Sequence, residues 1–276
     1  MRNWIKDKWI ILTGASSGIG RELCKLLICR YGAKVVGIGR NEEKMQSLIS
    51  ALGENAKYFT YRLFDVSEII AWGEFKEWLF AQNIVPVLLI NNAGMFPRFA
   101  KTLDTDATIA EHIIRTNYLS IVNSVTTIAP ILKGEGKDKP AIVNVASSAA
   151  LCAVAGTAVY SASKGAVKGY TEALLLEEKG KKYVGIVYPG TTATDLFAGD
   201  ENTKNSALDK IAMPAEKMAN AIARAILRKK KRAVLGWDAK LMNFTAKLMP
   251  VKGLALIAWV MKKSKSKVFQ NVFDYE

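Results

Sequence analysis

With 276 residues, half of them apolar, the chain is long enough for one large domain with a substantial core, and no stretch of it is low in complexity. Three cysteines without paired-ligand spacing (Cys24, Cys29, Cys152) and a single histidine, His112, speak against a zinc site and a Ser-His-Asp triad. The net charge of +14 is uneven: from Arg228 onward 12 Lys and Arg stand against 3 Asp and Glu, a surplus of +9. Such a basic tail can attract nucleic acid, an anionic membrane or an acidic substrate.

The N-terminus is too polar for a signal peptide, and no segment reaches the roughly 18 apolar residues of a membrane-spanning helix, so a cytoplasmic protein is expected. Trp9–Leu12 is the first predicted strand, followed by a helix from Ile19 to Tyr31. Ala33–Gly39 is the second strand and Glu42–Leu52 the next helix; Tyr58–Phe64 is the third strand, with a helix over Ser67–Gln82. Val85–Ile90 is a continuous apolar run, typical of a strand buried on both faces. One long helix is predicted from Thr108 to Lys133, then a strand at Ala141–Val145, a helix at Thr157–Glu178 and a strand at Tyr183–Tyr188. Pro214–Lys231 reads as a helix and Arg232–Gly236 as the last strand. This alternation predicts an α/β fold, a single doubly wound parallel sheet with helices on both faces. Residues 1–236 form that domain, and residues 237–276 a basic, apolar extension of it or an interfacial helix.

Between the first strand and its helix lies Thr13-Gly14-Ala15-Ser16-Ser17-Gly18-Ile19-Gly20. Glycines let the backbone approach a pyrophosphate, and the helix N-terminus adds amide donors and a positive dipole end, so this turn predicts nucleotide binding. A second feature is Tyr160 four residues before Lys164 on a predicted helix, which stacks the two on one face. A neighbouring cation favours the phenolate, making Tyr160 a candidate general acid/base.

Thr13 to Gly20, Asn91-Asn92-Ala93-Gly94 after the fourth strand, Asn117, Ser147, Tyr160-x-x-x-Lys164 and Pro189-Gly190 resemble, in order, the motifs of the short-chain dehydrogenase/reductase family. The resemblance runs from about Lys8 to Gly236 and implies a Rossmann-type domain whose tyrosine exchanges a proton with a substrate oxygen while a nicotinamide exchanges hydride at carbon. It implies that Lys164 meets the nicotinamide ribose, that Ser147, thirteen residues before the tyrosine, holds the substrate oxygen (Ser148 is the neighbouring alternative), and that Asn117 opens a backbone position for a water in a proton relay. It further implies cofactor contacts at Gly14, Ser16, Ser17, Gly18, Ile19 and Gly20, at Asp65 and Val66 beside adenine, and at Asn91, Asn92, Ala93 and Gly94 on the adenosine side. Pro189, Gly190, Thr192 and Thr194 would lie near the carboxamide. At the tip of the second strand stands Gly39 followed by Arg40, where an acidic residue would hold the ribose of NAD; the guanidinium suits a 2′-phosphate and predicts NADP.

By the same resemblance the substrate loops offer Met95, Phe96, Pro97 and Phe99, then Leu151, Cys152 and Val154, then Leu196 and Phe197, pointing to a hydrophobic carbonyl or alcohol, steroid-like or lipid-like. Arg98 reads as a solvated side chain, and Asp195–Ala212 as a lid. Reduction of a 3-oxoacyl thioester and a non-catalytic NADP-binding scaffold are the alternatives. The long helices imply a homodimer or homotetramer. The basic runs lack a nucleic-acid reading motif, so no nucleic-acid partner is expected. In the tail, apolar residues interleaved with lysines from Trp237 to Met261 leave two readings, peripheral membrane contact, or a helix packed over the substrate mouth or against another subunit.

Overall fold

All six residues of Pro86–Asn91 and all seven of Tyr183–Pro189 are buried, as strands covered on both faces must be. The computed structural model describes residues 3–134, 136–194 and 211–273. Its strands are β1 (Trp9–Thr13), β2 (Lys34–Gly39), β3 (Phe59–Leu63), β4 (Pro86–Asn91), β5 (Ala141–Val145), β6 (Tyr183–Pro189), the short pair β7 (Thr192–Ala193) and β8 (Met213–Pro214), and β9 (Arg232–Leu235). Seven of them form one sheet in the order β3-β2-β1-β4-β5-β6-β9, with every neighbouring pair parallel. The order reverses between β1 and β4, which opens a crevice at the carboxyl ends of those two strands.

The period of two along β1 divides the core. Ile10 and Leu12 pack with Leu23 of α1 (Gly18–Lys25), Met45 and Leu48 of α2 (Glu42–Leu52), and Ile222 and Ile226 near the end of the chain's core. Ile11 points the other way, toward Trp72 and Phe75 of α3 (Ile69–Ala81). Between β5 and β6 runs α6 (Ala158–Glu177), on that same face through Val167. Helices therefore cover both faces, as predicted.

The predicted helix from Thr108 to Lys133 is broken. It consists of α4 (Ala107–Ile114), a π-helical turn at Arg115–Leu119, and α5 (Ser120–Ile128). The Ser120 amide donates to the Arg115 carbonyl five residues back, inserting one residue into the turn at Asn117. The helix predicted to end at Tyr31 likewise closes in a π-helical turn, Leu26–Arg30. A hydrophobic period of 3.6 does not register one extra residue in a single turn.

The Asn91 side chain is committed to the core. Its amide donates to Asn144 Oδ1 (2.9 Å) and its Oδ1 accepts from Ser124 Oγ (2.8 Å), while Asn144 donates to Thr171 Oγ1 (2.9 Å). The Asn91 side chain is thus spent on a buried polar network joining β4, β5, α5 and α6 rather than directed at the crevice, because a buried amide must be satisfied where it stands.

After β6 come α7 (Ala215–Leu227), which carries Ile222 and Ile226, then β9 and two helices of the tail, α8 (Trp237–Leu248) and α9 (Pro250–Lys263). Gly253 lets those two cross closely, since a Cβ there would stand 2.8 Å from the Thr245 carbonyl oxygen. Met261, Val268 and Phe269 form a separate apolar cluster with Phe96 and Phe99 of the loop after β4. Through these contacts the tail helices pack on the domain, while part of their apolar surface stays exposed. Among the described residues, no helix is long and apolar enough to cross a membrane, and no group of His, Cys, Asp or Glu could hold a metal.

Candidate active site

The glycine turn is folded tightly enough to exclude side chains. Gly14 and Gly18 have φ of +67° and +50°, and a Cβ at Gly20 would sit 1.9 Å from the Gly14 carbonyl oxygen. Ser17 precedes α1 without a side-chain capping bond, and Ser16 lies against Gly39 at the tip of β2. Thr13 Oγ1 accepts from the amides of Asn92 and Ala93, both at 2.9 Å, and Asn92 Nδ2 donates back to the Thr13 carbonyl (3.0 Å). These bonds lash the ends of β1 and β4 together at the switch point. Gly18 in turn faces the Thr194 side chain.

At the outer end of the crevice Arg40 Nη1 pairs with Asp65 Oδ2 at 3.0 Å. Asp65 Oδ1 also accepts from the Ser67 amide and hydroxyl (2.9 and 2.8 Å), so it caps the turn beyond β3 as well. Burial pushes the Asp65 carboxyl up, but the Ser67 bonds and the Arg40 guanidinium outweigh it and hold the group below its ordinary value. Val66 is buried, and its carbonyl accepts from Trp72 Nε1.

Four predicted residues converge at the inner end. Asn117, fully buried in the π-helical turn, accepts from the Met95 amide (2.7 Å), donates to the Met95 carbonyl (3.0 Å) and donates to Ser163 Oγ (3.1 Å). It thereby fastens the loop after β4 to α6. Lys164 Nζ donates to the Val145 carbonyl (3.3 Å) and lies 5.9 Å from the centre of the Tyr160 ring. Gly94 leaves room for both, since a Cβ there would meet Lys164 Nζ at 3.2 Å and Asn117 Oδ1 at 3.3 Å. Ser147 hydrogen-bonds Tyr160 and caps the following turn by accepting from the Ala149 amide (3.2 Å). Ser148 borders the same cavity as Ser147.

The electrostatics differ from the expectation. Burial pushes the Tyr160 phenol up and only the Ser147 hydrogen bond pulls it back, while burial lowers Lys164 to about 8. Desolvation is the largest cause at both adjacent groups.

These residues border a cavity of about 420 Å³. Ile19, Asn92, Gly94, Pro189, Gly190, Thr192 and Thr194 line one part, and Ser147, Tyr160 and Lys164 stand at its polar end. Phe96, Phe99 and Val154 supply apolar wall as predicted, but Met95, Pro97, Leu151 and Cys152 do not reach it; Arg98 is exposed, as read. Leu196, Phe197 and most of the predicted lid lie outside the described residues. Much of the remaining wall comes from the tail, through Leu241, Met242, Leu256, Ile257 and Val260.

Sequence reasoning missed Asp238. Its Oδ2 accepts from the Thr191 amide at 2.6 Å, and Gly190 must lack a side chain because a Cβ would stand 2.1 Å from Asp238 Oδ1. The available signal was its isolation, as the one carboxylate between Arg228 and Phe273.

A family model described as short chain dehydrogenase matches residues 8–205. A zebrafish (Danio rerio) protein, dehydrogenase/reductase SDR family member 7B, is 30% identical over 247 residues, covering 84% of this chain and 78% of its own length. A short-chain dehydrogenase/reductase from Burkholderia phymatum in complex with NAD superposes with a TM-score of 0.78 at 22% identity, covering 92% of this chain and 96% of its own. A short-chain dehydrogenase from Shigella flexneri complexed with NADP gives 0.75 at 22% identity, covering 87% and 100%. With the glycine turn, the Tyr160–Lys164 pair and the parallel sheet in their expected places, the chain belongs to the short-chain dehydrogenase/reductase family of NAD(P)-dependent oxidoreductases.

Proposed function

We propose that the protein interconverts a hydrophobic ketone and its secondary alcohol with NADP(H), steroid-like and lipid-like substrates being the first candidates. The observation that carries this is the cavity itself, with hydroxyls and an amine at one end and apolar side chains from two helices and two loops over the rest. A sugar or charged acid would leave its polar groups unpaired against Phe96, Phe99, Ile257 and Val260.

The glycine turn supports a dinucleotide, because glycines at the N-terminus of α1 let the backbone approach a pyrophosphate and present the helix's positive end to it. The nicotinamide, when bound, supplies or accepts the hydride at carbon. Tyr160 delivers or takes the proton at its phenol oxygen, and burial, which pushes the phenol's pKa up, keeps it protonated at neutral pH for donation in reduction. Ser147 steadies the substrate oxygen as charge develops on it. Lys164, 5.9 Å from the centre of the Tyr160 ring, would bind the ribose hydroxyls and hold its charge beside the phenol. Asn117 holds the Met95 backbone and so the shape of the loop over the site. Arg40 favours the 2′-phosphate, anchored by Asp65.

A screen of steroids, bile acids, long-chain ketones and acyl thioesters, following the loss of NADPH absorbance, tests the reading. Turnover of an uncharged apolar ketone is expected; turnover of acyl thioesters or sugars alone would overturn the substrate class, and oxidation of NADH in preference to NADPH would overturn the cofactor choice.

A further inference from the structure

We infer that the outer face of α8 and α9 docks on an anionic lipid bilayer and that the cavity opens onto that face. On α8, Trp237, Leu241, Phe244 and Leu248 are spaced four, three and four residues apart, which sets them on one side of the helix. Each is more than half exposed. On α9, Val251 (78% exposed), Leu254, Leu256, Trp259 (57%) and Val260 are also exposed, and only Gly253 and Met261 are buried. A helix apolar around most of its circumference is ordinarily covered.

Charge identifies what covers it. Lys240, Lys247, Lys252, Lys262 and Lys263 are exposed around the apolar residues, and Asp238, the one carboxylate of α8 and α9, is buried. A second copy brought face to face would set two lysine rims against each other. Nucleic acid would satisfy the lysines but offer no hydrocarbon to the Leu, Val and Trp side chains. An anionic bilayer supplies both, with aromatic and aliphatic groups entering the acyl boundary and lysine stems reaching headgroup phosphates.

The cavity continues into this face. Trp237, Leu241, Leu256 and Val260 border the cavity and are also about half exposed or more, so the same side chains belong to its apolar wall and to the exposed patch. An apolar molecule dissolved in the bilayer would enter along this wall and meet Ser147 and Tyr160 at the far end; this entry route rests on the function proposed above, whereas docking does not.

Flotation of the full chain with phosphatidylcholine vesicles, with and without phosphatidylserine, tests the inference. The protein is expected to float with phosphatidylserine-containing vesicles, with its tryptophan emission shifted to the blue, and to be released as salt is raised. In the double variant Phe244→Glu/Trp259→Glu, partition should fall about tenfold or more. Neither residue borders the cavity, so turnover of a water-soluble ketone should be retained, which shows that the variant is folded. Absence of flotation at low salt, unchanged flotation of the double variant, or preferential capture by duplex DNA would overturn docking. A wild-type dimer that the double variant converts to a monomer would assign the face to a second copy instead. Failure of every ketone in the activity screen, with flotation intact, would strike the proposed function and leave the docking surface standing.

Discussion

The Arg40 guanidinium lies 3.0 Å from the Asp65 carboxylate across the tips of β2 and β3, so the group read as a phosphate anchor is itself held by an acid. The pair is two-thirds exposed on the arginine side, which makes it a weak contributor to stability. Its use is orientation. Asp65 is fixed by Ser67, and Arg40 is fixed by Asp65, leaving the remaining guanidinium N–H groups for a ligand at the end of β2.

Replacing Arg40 by Leu should therefore weaken NADPH far more than NADH. A charge-assisted contact to phosphate is worth about 1.5–3 kcal/mol, so selectivity should drop by roughly one to two decades. Dissociation constants for both nucleotides, read by tryptophan quenching, check this; a wild type that already prefers NADH defeats it.

Tyr160→Phe keeps the ring that packs edge-on against Phe96 at 5.2 Å and removes the phenol oxygen. Turnover should fall by about 10²- to 10⁴-fold or more, with NADPH affinity nearly unchanged. Ser147→Ala should lose less, since the phenol remains, while Ser148→Ala should stay near wild type. Comparable losses for both serines would dissolve the distinction that the Ser147–Tyr160 contact makes.

Lys164 offers a pH test in the absence of nucleotide. Its folded-state value of about 8 lies below the ordinary lysine value of 10.5, so between those two pH values the unfolded chain binds more protons than the native one. Stability contributed by this site therefore rises with pH through that window. Below pH 8 both states are protonated and the cost of the buried ammonium is fully present. Relative to Lys164→Met, the wild type should gain stability from pH 8 to 10, by at most about 3 kcal/mol, and the difference should be flat below pH 8. Urea midpoints of the two proteins across that range supply the comparison; a difference that falls with pH reverses the sign and refutes the burial argument.

Asp238 positions the loop after β6. Asp238→Asn retains an acceptor but trades a charge-assisted bond for a neutral one, at a cost of about 1 kcal/mol, whereas Asp238→Ala strands the Thr191 amide. The KM for NADPH should rise with little change in kcat. A merely structural role would not predict that split; the packing contact has its own test, since Gly190→Ala should be severe, its Cβ having Asp238 side-chain atoms as nearest neighbours, and Asp238→Ala should partly rescue it. Additive losses in the double variant would remove Asp238 from this role.

The glycine spacing, the Tyr160–Lys164 interval and the strand–helix alternation were legible in the sequence because each is a local requirement. A φ of +67° at Gly14, a helix turn and a strand period involve neighbours along the chain. What tertiary structure decided were contacts between distant segments. Thr191 meets Asp238 across 47 positions and Asn91 meets Asn144 across 53, and no periodicity marks either partner. The break at Asn117 escaped for the same reason, since its amide is satisfied by Met95 and Ser163 rather than by its own helix. So too with the tail: its composition announced apolar residues among lysines, but which of them would wall a cavity and which would face outward depended on where Gly253 lets α9 cross α8 and on the Phe96–Phe99 cluster waiting beneath.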